Sequence, residues 1–582
     1  MSKSAVPLAL PVRRRTLRDP NNLWLPASGR TMGTLVLATK GQGKSRALGR
    51  IIAFGDFLRR VPLVILDPLG GTIDNFLDKI LRLPITPQEK AYLFSRIRYV
   101  DMAGSNGRIV PWPIYAKTHP ADQPHEVSRR FVDVLLRLQP KLEEAVIQGA
   151  PRVVPLLTAA GIILSGLELG ITEVPHLITK PKAWEPRLQE LLTRHPESEE
   201  AVGRIREHAL LGMTNPRAFE ERTEVLLNQL SLFRFPPNYR AIFGATTPAI
   251  NWQDVVDDSL AVLLNFRHVD GLEKRFCLLW LFHSLRTFIK RRGHGRHTPL
   301  SFIIDELSYL TGSAAAGTYS EHLATDLDEL INQLMRSHRI WLTVASQEQY
   351  QFPERVLKAL LSIGNVIFGG TSDPMAAREL AHRFYPYEPY LVKKTNPVWM
   401  NVAEDDGYGM RSVARPTIVD YTTEEFSMEE QANLNSQIFT DRLPTFHFMV
   451  GSSPREGMLA RRLKEVSIED IDRGQFVDEQ EVLRARAALM QRDGVPQHQI
   501  LAAIRDRLPR AESAVTLKPR AHPELQASRQ LQPTGGNGSR RTEQHAEQPK
   551  QLVTAERRQK REHPTGTKTP PLRRKPPKPR EV

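Results

Sequence analysis

Short, uniformly apolar runs recur along this chain, with helically patterned stretches between them. They are Thr34–Ala38, Leu63–Leu66, Ile97–Val100, Leu260–Leu264, Ser301–Ile304, Trp341–Ala345, Asn365–Phe368 and Phe446–Val450. None alternates with polar residues. Strands read this way when helices cover both faces of a parallel sheet. The pattern therefore predicts an α/β core built on a parallel sheet, with Phe446–Val450 closing it.

Between the third and fourth runs, roughly 120–251, the strand signal vanishes. Phe131, Val134, Leu135 and Leu138 fall on one helix face, and Glu221 to Leu232 reads similarly up to the Pro236-Pro237 break. This predicts an all-α insertion domain (120–251) within an α/β core (31–119 and 252–455), after an N-terminal extension (1–30). Leu272 to Lys290 is apolar through its middle and predicts a buried helix, ended by Lys290-Arg291-Arg292 and Gly293. Val153 to Leu167, the most apolar stretch, falls short of the roughly 20 residues a bilayer crossing needs, so it too predicts a buried helix. No signal peptide is read at the start. A charged helical region (456–509) follows, with helices from Val466 to Leu508 broken at Gly494-Val495-Pro496. From Arg510 onward apolar residues thin out, which predicts a disordered, basic, Pro-rich tail (510–582).

Charge sharpens this division. The net charge is +15, but the tail alone holds 17 Lys and Arg against 7 Asp and Glu. The body is nearly neutral, so the tail is where electrostatic affinity for DNA phosphates would sit, the other readings being a solvated tail kept for solubility or one that binds an acidic protein partner. One cysteine, Cys277, excludes an internal disulfide and Cys-based zinc sites, and suits a reducing cytoplasm. The 17 histidines are scattered, and His294 and His297 read as surface residues.

The chemistry begins at the end of the first run. Ala38-Thr39-Lys40-Gly41-Gln42-Gly43-Lys44-Ser45 matches the P-loop pattern, between a strand and a helix-forming stretch. A strand feeding a glycine loop that opens a helix aims several N–H groups and the helix dipole at one anion. Lys44 can reach β- and γ-phosphates, and Ser45 can ligate Mg²⁺. The fifth run ends in Asp305-Glu306, the second element of such a site. Asp305 would hold Mg²⁺ beside Ser45, and Glu306 would polarise the attacking water. Gln347, at the tip of the next strand, can sense the γ-phosphate. Arg336, eleven residues earlier, is of the type that stabilises a phosphoryl-transfer transition state, often from a neighbouring subunit.

This ordered set resembles the HerA/FtsK superfamily of ring-forming motors, and most closely the conjugative coupling proteins of type IV secretion (the TraG/TraD group). The resemblance runs from Leu23 to Gly451. It takes in Val64-Ile65-Leu66-Asp67-Pro68-Leu69-Gly70-Gly71 and Phe368-Gly369-Gly370-Thr371-Ser372-Asp373-Pro374, together with the Arg336-to-Gln347 spacing. It implies a RecA-like P-loop ATPase that takes ATP and Mg²⁺. It further implies a homohexamer with DNA in its channel, the insertion at one mouth, and relaxase or type IV secretion components as partners. Three departures stand out. The transmembrane hairpin of anchored relatives is not read here, so the expected location is cytoplasmic, peripheral at the inner face of the membrane. Gly369-Gly370 replace a frequent arginine. Residues 307–325, including Gly312 to Gly317, read as an insertion. Two other readings are a HerA-like helicase or translocase of repair or packaging, and a nucleotide-switched adaptor that binds DNA. Glu306 and Gln347 count against the adaptor, which needs no water-activating group.

Overall fold

The computed structural model describes residues 30–509, apart from 120–121, 139–152, 296, 312–320, 348–351, 353, 386, 406–411, 453–463, 469–471 and 473–476. The tail and almost all of the N-terminal extension lie outside the described residues, as do Gly312 to Gly317.

Each apolar run forms a strand. They are β1 (Thr34–Leu37), β2 (Leu63–Asp67), β3 (Ile97–Asp101), β5 (Ala261–Asn265), β6 (Leu300–Ile304), β7 (Ile340–Ser346), β8 (Asn365–Phe368) and β11 (His447–Ser452); a short β4 (Arg108–Ile109) lies outside this set. With β12 (Lys464–Ser467) they make one nine-stranded sheet in the order β12-β11-β8-β1-β7-β6-β2-β5-β3. β1 lies between β7 and β8, pairing Thr34 with Thr343 on one side and with Asn365 on the other. All strands from β8 to β3 are parallel. Their residues are almost completely buried, because helices cover both faces.

Two expectations are corrected at the β8 edge. β11 does not close a parallel sheet: it runs antiparallel to β8, and β12 pairs antiparallel outside it. β12 also falls where a helix was expected. Four residues, two of them charged, give too short an apolar signal to be read as a strand. A long antiparallel ribbon, β9 (Val392–Asp405) with β10 (Ser412–Glu425), was not foreseen either. Pro397, Trp399, Ile418 and Tyr421 share one of its faces and are exposed.

Between β4 and β5 every described element is a helix. The helix Pro124–Leu138 buries Phe131, Val134, Leu135 and Leu138, the face read from the sequence. Phe131, Phe233 and Phe243 surround Phe276 with ring centroids 5.1 to 6.4 Å away, in T-shaped contacts. Phe276 belongs to the helix Gly271–Arg292, which stops at Gly293 with φ +71°. One hydrophobic core thus runs from the sheet into the helical segment. The stretch read as Glu221 to Leu232 is two helices, Pro216–Gln229 and Ser231–Arg234. Val153–Gly166 is a buried helix, and no described helix is long and apolar enough to cross a membrane. At the far end, helices Glu479–Asp493 and Gln497–Arg507 flank β13 (Val495–Pro496), which pairs with β4.

Candidate nucleotide site

The sheet order fixes the site. β7 separates β1 from β6, so the loop after β1, the acids after β6 and the tip of β7 meet at the carboxyl edge of three adjacent strands. The loop turns through Gly41 and Gly43, with φ +91° and +92°, a region open to glycine. It leads into the helix Lys44–Arg46, continued by a π-helical stretch Ala47–Ala53 and by Phe54–Leu58. The loop is braced from β8: Thr39 donates to the Gly370 carbonyl through its N–H (3.1 Å) and its hydroxyl (2.9 Å). This contact accounts for Gly369-Gly370. A Cβ on Gly369 would lie 2.6 Å from the Ala38 Cβ, and one on Gly370 2.8 Å from Gln42 Nε2. A side chain at Gly369 would push the loop aside, and one at Gly370 would displace the Gln42 side chain.

Glu306 is the strained residue of the site, at φ +63°. The turn follows from its neighbours. Asp305 N–H donates to Leu66 of β2 (2.9 Å), whereas Leu307 N–H donates to Ala345 of β7 (2.9 Å). The chain switches partners across Glu306, at a cost of about 1–3 kcal/mol for a non-glycine residue. The result is a carboxylate aimed at the loop. Glu306 Oε2 accepts from Lys44 Nζ at 2.6 Å, and Oε1 accepts from Ser308 Oγ (2.8 Å) and Ser346 Oγ (3.2 Å). Gln347 hydrogen-bonds the same carboxylate. Burial alone would raise its pKa, but Lys44, Ser308 and Gln347 outweigh burial and hold it below the usual range.

Asp305 Oδ2 accepts from Thr72 Oγ1 (2.7 Å) and Ser45 Oγ (3.2 Å), and Lys44 Nζ stands 3.5 Å from Oδ1. Oδ1 is buried and has no hydrogen-bond partner. A hydroxyl and a carboxylate with a buried oxygen to spare are hard oxygen donors, the set that suits Mg²⁺. Asp67, at the tip of β2, accepts from the N–H groups of Leu69, Gly70 and Ile73 and so caps the helix Gly71–Leu81 that carries Thr72. Complete burial, and then the Asp305 charge, push its pKa up to about 6, against the pull of those three N–H groups.

The structure thus brings Lys44, Ser45, Asp305, Glu306 and Gln347 together. It does not bring Arg336. That residue is exposed, in the helix Met335–Ser337 ahead of β7, on the opposite edge of the sheet. At about 3.3 Å per residue, β7 alone sets it about 20 Å from the tip of its own strand. Among the described residues it has no ion pair. Thr72, Ser308 and Ser346 were not anticipated from sequence. Only the Gly70-Gly71 turn ahead of Thr72 hinted at a residue drawn close to the loop. His294 is exposed as expected, but its ring tilts against that of His338 at 4.8 Å, and His297 is half-buried.

Strand order, loop and acids together are those of a RecA-like P-loop NTPase core. No protein-family model and no curated protein matches the chain. Solved structures similar to it include the bacterial conjugative coupling protein TrwB in an unbound form, at 15% identity, covering 81% of this chain and 93% of that one, with a TM-score of 0.44. The plasmid coupling protein TrwB in complex with ADP and Mg²⁺ gives the same 15%, 81%, 93% and 0.44. VirB4 of Thermoanaerobacter pseudethanolicus is similar at 13% identity, covering 60% of this chain and 80% of that one, with a TM-score of 0.36.

Proposed function

We propose that this chain is an ATP-hydrolysing motor that moves DNA, of the coupling type that serves conjugative transfer and type IV secretion. One observation carries the hydrolytic part: a buried, ionised Glu306 beside the loop lysine, held by Ser308, Ser346 and Gln347. A protein that only binds nucleotide has no use for such a group. The setting in conjugation rests on the ordered motifs between Leu23 and Gly451.

In this reading the loop from Ala38 to Ser45 cradles the phosphates, and Ser45 with Asp305 holds Mg²⁺, which would neutralise phosphate charge. Lys44 exchanges Glu306 for the β- and γ-phosphates. Glu306, released, accepts a hydrogen bond from the attacking water, while Gln347 links that water to the γ-phosphate. Arg336 lies too far from its own loop to serve it and would act on the site of a neighbouring copy in a homohexameric ring. Residues 31–119 and 252–455 form the ATPase core and 120–251 an inserted all-α domain. DNA occupies the ring's channel, and the protein works in the cytoplasm, against the inner face of the membrane.

The test is ATP turnover with and without DNA, alongside particle mass by light scattering. DNA-stimulated turnover by a six-copy particle is the expected result. Turnover by a monomer that ignores DNA would remove the motor and leave an ATPase of another kind.

A further inference from the structure

The sheet also tells which way a nucleotide must lie. Lys44 and Glu306 mark the γ-phosphate end, on the β7 and β6 side of the loop. A triphosphate running along the loop therefore carries its ribose and base the other way, toward β8 and β11. β11 is antiparallel to β8, so its first residues project at the same carboxyl edge as the loop. Phe446 stands immediately before β11, and a Cβ on Gly43 would collide with its ring. An aromatic side chain therefore rests on the last loop glycine, on the side where the base has to go.

Three further observations show that this ring is held in place. Phe446 has φ +65°, a left-handed conformation costly for an aromatic residue. Its carbonyl accepts from Ile468 N–H at 2.9 Å, which ties the turn to the end of β12. The Arg46 guanidinium lies over the ring, 5.2 Å from its centroid, and donates through Nη2 to the Asp472 carbonyl at 2.6 Å. Asp472 in turn is gripped by Arg50 and by Lys79. The ring is nonetheless only half-buried. A braced, partly exposed aromatic ring beside the first turn of the loop helix is a stacking surface.

We propose that Phe446, supported by Arg46, is the platform on which the base of the bound nucleoside triphosphate stacks. This deepens the proposed ATP site and rests on it. Every base has a π-face, so the platform adds affinity for nucleotides generally and none for a bare phosphate chain.

The test is calorimetric titration of the full chain with ATP and, separately, with inorganic tripolyphosphate, both with Mg²⁺. Phe446→Ala should weaken ATP about tenfold and leave tripolyphosphate unchanged, while Phe446→Tyr keeps ATP affinity. Equal losses for both ligands would show that Phe446 only shapes the loop and would overturn the proposal, as would no loss for either. If the unaltered chain binds neither ligand, the nucleotide site itself falls. If it binds tripolyphosphate as tightly as ATP, the site stands and the platform alone falls.

Discussion

Replacing Glu306 by Gln should tighten ATP binding while nearly abolishing turnover. In the structure Lys44, which grips the β- and γ-phosphates in the proposed mechanism, is committed to Glu306 at 2.6 Å. Binding ATP means breaking that pair and bringing the triphosphate up to a carboxylate. A buried, charge-assisted hydrogen bond is worth about 1.5–3 kcal/mol. In the glutamine variant the amide nitrogen stands where Oε2 stood and cannot accept from Lys44. That bond is therefore absent before ATP arrives, and its loss comes to at least about the 1.4 kcal/mol that changes an affinity tenfold. The amide also fits its pocket, because Ser308 and Ser346 donate to Oε1, which glutamine retains. Turnover should fall about 100- to 10,000-fold with the loss of the group that takes the water's proton. Lys44, Ser308 and Gln347 together outweigh burial and depress the Glu306 pKa from its ordinary 4.5, so the contrast should not vary between pH 6 and 8. The pair's own contribution to the stability of the nucleotide-free protein is complete above about pH 4.5. It is lost as pH falls through the depressed value. Competition with a fluorescent ATP analogue gives the affinity, and single-turnover phosphate release gives the rate. Weaker binding would refute the exchange of Lys44, and turnover within a few-fold of the unaltered protein would refute the role of Glu306.

Arg336→Ala subunits mixed with Lys44→Ala subunits should recover part of the ATPase activity that each lacks alone, since each supplies the other's missing half-site; mixed particles without recovery at any ratio would end the assignment in trans. Gly369→Ala should destabilise the protein by about 1–3 kcal/mol and weaken ATP, because the new methyl meets Ala38 at 2.6 Å; an unchanged melting curve and affinity would show that β8 gives way freely. Deleting residues 510–582 should lower DNA affinity at low salt and flatten its salt dependence, with DNA-independent ATP hydrolysis intact; an unchanged salt slope would clear the tail of any DNA-binding role.

The parts of this site that could be read in advance are those defined along the chain. Loop, acids and glutamine each follow an apolar run, and such a run is a local signal of a buried strand. Thr72, Ser308 and Ser346 are ordinary hydroxyl residues. Strand order gives meaning to two of them, by setting Thr72 beside Asp305 and Ser346 beside Glu306, while Ser308 reaches Glu306 through the turn at that residue. Phe446 and Asp472 touch the loop helix from some 400 residues away, and no periodicity encodes that contact. The β9–β10 ribbon escaped notice for another reason. Apolar residues fall on both of its faces, as in the run Pro397-Val398-Trp399-Met400, and the β-bulge between Ile418 and Asp420 shifts the register, so no clean alternation marks it.

The position of β1 between β7 and β8 bears on how the protein is made. Thr34 leaves the ribosome well before its partners Thr343 and Asn365, which are about 300 residues further on. At about 5–20 residues per second, they arrive about 15–60 seconds later. For that interval a strand that ends buried along its whole length has no neighbour to pair with. Loop closure over such a distance must be met before any contact rewards it. β2, β5 and β6 can join one another sooner, so the right half of the sheet can assemble while the loop strand waits. During synthesis the segment that carries the phosphate loop is thus the one most in need of a chaperone. A nascent chain halted before Thr343 would have its acids and its loop but no site.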